Sequence, residues 1–128
     1  MVVERLSSMD EIVKRCCTLC AVNPGMLCYI MCKPMDEGHI RETMFKELMR
    51  MGDRFVWYEM RRETVVGGGW SRIRLLPYAG TKNQNDNLQG LGCDIFAMEH
   101  INRFVTVRRE HLARNYLLYV DFEEEDEI

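Results

Sequence analysis

Met26-Leu-Cys-Tyr-Ile-Met-Cys32 is an unbroken apolar run of strand length, closed in front by Asn23-Pro24-Gly25 and behind by Lys33-Pro34. A strand with one wet face alternates polar and apolar residues, because successive side chains point to opposite faces. A run without alternation suits a strand covered on both faces, as in the centre of an α/β sheet. Working backwards, Ser8-x-x-Glu11 has the form of a capping box, and Asp10 also favours the positive end of a helix. Ile12, Val13, Cys16, Cys17, Leu19 and Cys20 supply the apolar face of that helix, and Asn23-Pro24-Gly25 ends it. Working forwards, Asp36 is placed to cap a second helix. Its apolar residues Ile40, Met44, Phe45, Leu48, Met49 and Met51 recur at helical spacing, and Gly52 is its stop.

Beyond Gly52 the periodicity changes. Phe55 to Met60 and Glu63 to Val66 read as short strands, Gly67-Gly68-Gly69 as a hairpin turn, and Ser71-Arg-Ile-Arg-Leu-Leu-Pro77 as the returning strand. Ala79 to Gly90 is polar and too long for a tight turn, so an exposed, mobile loop is expected. Cys93-Asp-Ile-Phe-Ala-Met98 is a second buried-strand pattern. Arg108 to Tyr119 fits a final amphipathic helix with Leu112, Tyr116 and Tyr119 on one side, while Phe104 to Val107 reads equally well as a strand. The order helix, strand, helix, hairpin, strand, helix predicts an α/β fold: a mixed, mostly parallel sheet flanked by helices, with a β-hairpin. Residues 1–122 are expected to form a single domain, and 123–128 an acidic, disordered tail.

Composition narrows the functional classes. A chain of 128 residues can bury a core without disulfide staples, and 47% apolar with 29% charged residues is ordinary for a globular protein. The formal charge of -3 is uneven: Glu123 to Glu127 are all acidic, while Arg61, Arg62, Arg72, Arg74, Arg103, Arg108, Arg109 and Arg114 lie in the body. Without those five acids the body is near +2, too weak for net charge alone to predict nucleic-acid binding. There is no apolar stretch of membrane-helix length, and Asp10, Glu11, Lys14 and Arg15 break any secretory signal pattern. The expectation is an intracellular protein with reduced cysteines and no membrane partner. Cys17-x-x-Cys20 with Cys28 or Cys32 could form a zinc site, but these residues fall on apolar helix and strand patterns, where cysteine packs as a small hydrophobe. No metal site is expected.

Three sets of residues could carry chemistry. Gly67-Gly68-Gly69 lacks the lysine and hydroxyl that close a phosphate loop; Trp70 follows instead, so a hairpin is the reading. His39, His100 and His111 show no metal-ligand spacing, and no nucleophile stands out among the six cysteines. Glu99 follows Ile95-Phe-Ala-Met98, at the end of a buried strand, where α/β folds place functional groups.

The order of pieces from Glu11 to Val105 resembles the part of a large terminase ATPase domain that follows its P-loop, in herpesvirus-like and tailed-phage members of that family. The matching pieces are Cys28-Tyr-Ile-Met-Cys-Lys-Pro34, Gly69-Trp-Ser-Arg-Ile-Arg-Leu-Leu76, Asn85-Asp-Asn-Leu-Gln-Gly90 and Asp94-Ile-Phe-Ala-Met-Glu99. The resemblance implies a partial RecA-like, P-loop-NTPase-like fold and a role in viral DNA packaging. It implies Glu99 as a catalytic carboxylate that orients the attacking water, if a partner segment completes the site. Lys82, Asn83, Asn85, Gln89 and Gly90 would form the functional, partner-binding loop. The departures are specific: no Gly-x-x-x-x-Gly-Lys-Ser/Thr occurs, Met98 stands where an aspartate for magnesium is expected, and Gln89 replaces a basic residue. The chain is therefore expected to bind no cofactor alone, with ATP and Mg entering only if a P-loop is supplied elsewhere. It would be an exon-sized piece or a degenerate relative. Its partners would be other terminase or packaging segments, with DNA as a further candidate, or else a host protein, in the host nucleus or cytoplasm. The alternative is a small non-enzymatic α/β interaction module of a virus.

Overall fold

The computed structural model describes residues 1–77 and 92–122. The loop expected from Ala79 to Gly90 and the acidic tail both lie outside the described residues, and with them Lys82, Asn83, Asn85, Gln89 and Gly90. The described elements run β1 (Val2–Arg5), α1 (Met9–Val22), β2 (Leu27–Cys32), α2 (Glu37–Arg50), β3 (Phe55–Tyr58), β4 (Glu63–Val66), β5 (Ser71–Pro77), β6 (Cys93–Ile101), α3 (Arg103–Leu112) and β7 (Ala113–Phe122). All seven strands join one sheet in the order β1-β7-β6-β2-β5-β4-β3. The first five in that order are mutually parallel, and β5, β4 and β3 pair antiparallel. The mixed, mostly parallel sheet flanked by helices is thus the observed architecture.

β2 sits between β5 and β6 with Cys28, Tyr29, Ile30, Met31 and Cys32 all buried, as its unbroken apolar run requires. Cys28, Ile30 and Cys32 face a core shared with α1 and α2, where Cys16, Cys17 and Cys20 pack as apolar residues. Tyr29 and Met31 face the other side, with Phe96, Met98, Leu117 and the α3 residues Val105 and Leu112. Burial pushes the thiols of Cys17 and Cys28 well above the ordinary range, because no solvent stabilises a thiolate there.

Helix ends follow their sequence signals in part. The Ser8 hydroxyl accepts the Glu11 N–H at 3.2 Å, capping α1. Asp36 precedes α2 but makes no side-chain cap; the chain enters through a 3-10 turn at Pro34–Asp36, with Pro34 where an N–H is not needed. Ile40, Met44 and Leu48 form the buried face of α2, whereas Met49 is exposed.

Two expectations are corrected. The last helix is not 108–119: α3 ends at Leu112, Phe104 to Val107 is helical, and Ala113 to Phe122 is a strand. Tyr116, Leu117, Leu118, Tyr119 and Val120 are covered from both sides, so the run shows no two-residue alternation and its apolar spacing mimics a helix. The chain also opens with a strand that was not expected, since Val2–Arg5 is short and mostly exposed at a sheet edge.

Gly67 to Trp70 turns β4 into β5, as expected of a hairpin. Gly67 and Trp70 both adopt left-handed backbone, at φ 60° and 58°. The turn is fastened to the α1–β2 loop: the Gly25 N–H donates to the Gly69 carbonyl at 2.7 Å, and the Ser71 hydroxyl donates to the Asn23 carbonyl at 2.7 Å.

Candidate functional site

In open α/β sheets, ligands bind beyond the carboxyl ends of parallel strands, where the chain turns into helices. That edge carries a cleft of about 490 Å³. Cys32 and Lys33 leave β2 on one side of it, and Met98, Glu99 and His100 belong to β6 on the other. The first turn of α1 contributes Ser8, Met9 and Asp10, while Asp36, His39 and Ile40 come from the entry to α2. Its size lies within the ordinary range for small-molecule pockets.

Two carboxylate–imidazole pairs line the cleft. His39 Nε2 lies 3.0 Å from Asp10 Oδ1 and ties the first turns of α1 and α2 together. His100 Nε2 lies 3.4 Å from Glu99 Oε1. Glu99 alternates with Ala97 along β6, so it belongs to the sheet face that α1 and α2 cover. It sits two residues before the end of β6, about half exposed, and opens into the cleft. Cys32 is nearly buried; burial first, and then the charges of Glu37 and Asp36, push its thiol up to about 12. It is a protonated thiol at neutral pH and no nucleophile.

The β1–α1 junction decides what this edge can hold. A P-loop runs strand, eight-residue glycine-rich loop, helix, with backbone N–H groups cradling phosphate. Here only Leu6, Ser7 and Ser8 separate Arg5 from Met9. The Leu6 N–H still donates to the Tyr119 carbonyl at 2.8 Å, continuing the ladder, and the Ser8 hydroxyl is used as the α1 cap. Asp10 and Glu11 occupy the first helical turn, where a phosphate would need positive potential. These residues do not fit a nucleoside triphosphate. Among the described residues, no group of three or more His, Cys, Asp or Glu is arranged to hold a metal ion.

Glu99, singled out by the sequence, therefore does reach the strand-end cleft. His39 and His100 were weighed in the sequence only for metal-ligand spacing, which they lack; Asp10, Lys33 and Asp36 were not singled out as site residues, and their signal was position, just after or just before elements whose ends meet at one edge of the sheet.

No family model matches the sequence, and no curated protein matches it in sequence. Solved structures do match in fold. The large terminase of a thermophilic bacteriophage superposes in two crystal forms with TM-scores of 0.65 and 0.62, at 10% and 9% identity. Those matches cover 87% and 94% of this chain, and 30% and 32% of that terminase. The ATPase domain of the Thermus phage P74-26 large terminase matches with a TM-score of 0.58 at 14% identity, over 97% of this chain and 59% of that one. The chain thus has a terminase-like, P-loop-NTPase-like fold, and it spans about a third of the length of the thermophilic-phage terminase. No helix among the described residues is long and apolar enough to cross a membrane.

Proposed function

We propose that this chain is a terminase-like, viral DNA-packaging-related protein that is catalytically incomplete and depends on a partner for any ATPase chemistry. The observation that carries the reading is the junction after β1, where a terminase-like sheet meets a helix through three residues with an acidic first turn. The chain would be either a piece of a split packaging protein or a degenerate relative. In this reading Glu99 is the carboxylate that would act once another protein brings a phosphate site to the cleft, in the host nucleus or cytoplasm. Lys82, Asn83, Asn85, Gln89 and Gly90 would carry the contact to that partner or to DNA.

The test is genetic. In the virus proposed to encode the chain, Glu99→Gln combined with Asp10→Asn is expected to leave empty particles and unpackaged DNA. A normal yield of DNA-filled particles would overturn the reading.

A second reading, a non-enzymatic interaction module, draws on Trp70, which is 75% exposed on left-handed backbone. An exposed tryptophan in a rarely populated conformation suits a binding hot spot. It predicts that Trp70→Ala removes a host-protein crosslink in infected cells while filled-particle yield stays normal. An unchanged crosslink would remove its support.

A further inference from the structure

The two edges of the sheet differ in how they are finished. β1 is guarded: Glu4 and Arg5 lie within it, and Arg5 Nε donates to the Val120 carbonyl at 2.8 Å. β3, at the other edge, is not. Phe55-Val-Trp-Tyr58 carries no charge, proline or bulge, the devices that keep an edge strand from pairing. Among the described residues its outer side has no partner strand. Phe55 stacks on Phe45 of α2 with ring centres 5.2 Å apart, Trp57 meets the same ring edge-on at 5.6 Å, and both stay half-buried. Val56 and Tyr58 point to the opposite face and are 54% and 47% exposed.

The ladder fixes which backbone groups of β3 are free. In an antiparallel pair, opposed residues alternate between exchanging both backbone bonds and exchanging none. The Gly67 N–H donates to the Arg54 carbonyl at 2.6 Å, so Arg54 is a bonded position, and so in turn are Val56 opposite Val65 and Tyr58 opposite Glu63. Phe55 and Trp57 therefore aim their N–H and C=O groups away from β4, into the open edge. We propose that β3 pairs antiparallel with β3 of a second copy of this chain, around a twofold axis at Val56. That axis sets Phe55 opposite Trp57 of the second copy and Trp57 opposite its Phe55. Both are bonded pairs, so every outward group of the edge is used. An axis at Trp57 would instead set Phe55 opposite Glu59, which lies outside the strand. The occupant follows from the side chains. Phe55-Val56-Trp57 reads aromatic, valine, aromatic in either direction, and a twofold contact requires a surface that matches itself. The α2 face gains two cross-strand aromatic pairs, and the other face sets Val56 against Val56 and Tyr58 against Arg54 of the second copy. An unrelated strand would satisfy the backbone alone.

The experiment is sedimentation velocity on the full chain over a roughly hundredfold range of concentration. The wild type should pass reversibly from monomer to dimer as concentration rises. Val56→Lys and Val56→Glu each set like charges directly opposite at the axis, so each alone should stay monomeric, and an equal mixture of the two should form a dimer. Val56 is exposed in the single chain, and circular dichroism on the same samples checks that both substitutions keep the fold. Amide hydrogen exchange on the wild type decides the matter without any variant. The Phe55 and Trp57 amides should exchange more slowly as concentration rises, while the Val56 and Tyr58 amides, bonded to β4, should be protected throughout. A wild type that is monomeric at every concentration overturns the proposal and leaves the edge to a strand of another protein. So does a dimer that survives Val56→Lys, a mixture that stays monomeric, or exchange at Phe55 and Trp57 that ignores concentration. Among the described residues β3 lines no part of the strand-end cleft, so the packaging reading has its own outcome in particle yield and does not fall with this one.

Discussion

Gly69→Ala tests how the β4–β5 turn is built and why its three glycines serve a hairpin and not a phosphate. A Cβ at position 69 would lie 3.0 Å from Pro24 Cα and 3.2 Å from Pro24 Cβ, both tighter than ordinary contact. One of these is backbone, so relief requires the α1–β2 loop to move. That movement strains the 2.7 Å bond from Gly25 to Gly69 and the 2.7 Å bond from Ser71 to Asn23. Overpacking of this kind costs about 1–3 kcal/mol, and the stiffer unfolded chain offsets about 0.4–1 of it. The net expectation is about 1–2 kcal/mol of destabilisation. With an unfolding entropy of about 2.1 cal/mol/K per residue, a 128-residue domain has about 270 cal/mol/K. Tm should therefore fall by about 4–7 °C in a circular dichroism melt. Gly68→Ala is the control: it has open space around its Cβ and no left-handed φ, so it should be neutral or slightly stabilising. Equal Tm values for Gly69→Ala and Gly68→Ala would refute the docked turn.

Phe96 is fully buried between β6 and the α3 layer, so Phe96→Ala should cost about 3–5 kcal/mol in urea unfolding; a loss under about 1 would mean that β6 is not central. Ser8→Ala removes the α1 cap and should cost about 1 kcal/mol, with no loss expected if the hydroxyl were free. Alkaline pH should unfold the protein early. Cys32 and Cys93 are pushed up to about 12, chiefly by burial, while an unfolded thiol titrates near 9. Below about 9 both states hold the proton; between about 9 and about 12 only the folded state does, so stability falls by about 1.4 kcal/mol per pH unit per thiol. Stability that stayed flat from about pH 9 to about 10.5 would contradict the thiol burial.

The sequence made the middle of the fold legible because β2 has a run that only a doubly covered strand explains, and because Ser8, Gly52 and the Gly67 turn punctuate the elements around it. The same physics hid β7. Its run Tyr116 to Val120 is also doubly covered, but Leu112, Tyr116 and Tyr119 fall at helical spacing and mask the strand. β1 was hidden by brevity at a sheet edge, where Val2 and Val3 are about half exposed and give no buried pattern. Missing β1 concealed the feature that matters most, since the strand–helix junction at Leu6 to Ser8 has meaning only once a parallel strand is known to precede α1. The place of Glu99 near a strand end that opens into the cleft was legible, because it follows the buried apolar run Ile95 to Met98. The pairing of Asp10 with His39 was not, because it joins residues 29 positions apart through the meeting of two helix ends.

The central proposal is that the described residues of this terminase-like sheet form no phosphate cradle. Its most direct test is calorimetric titration of the purified chain with MgATP. The account predicts no saturable heat up to millimolar nucleotide, because the β1–α1 junction is too short and the first turn of α1 is acidic. Stoichiometric micromolar binding, lost on Glu99→Gln, would contradict it.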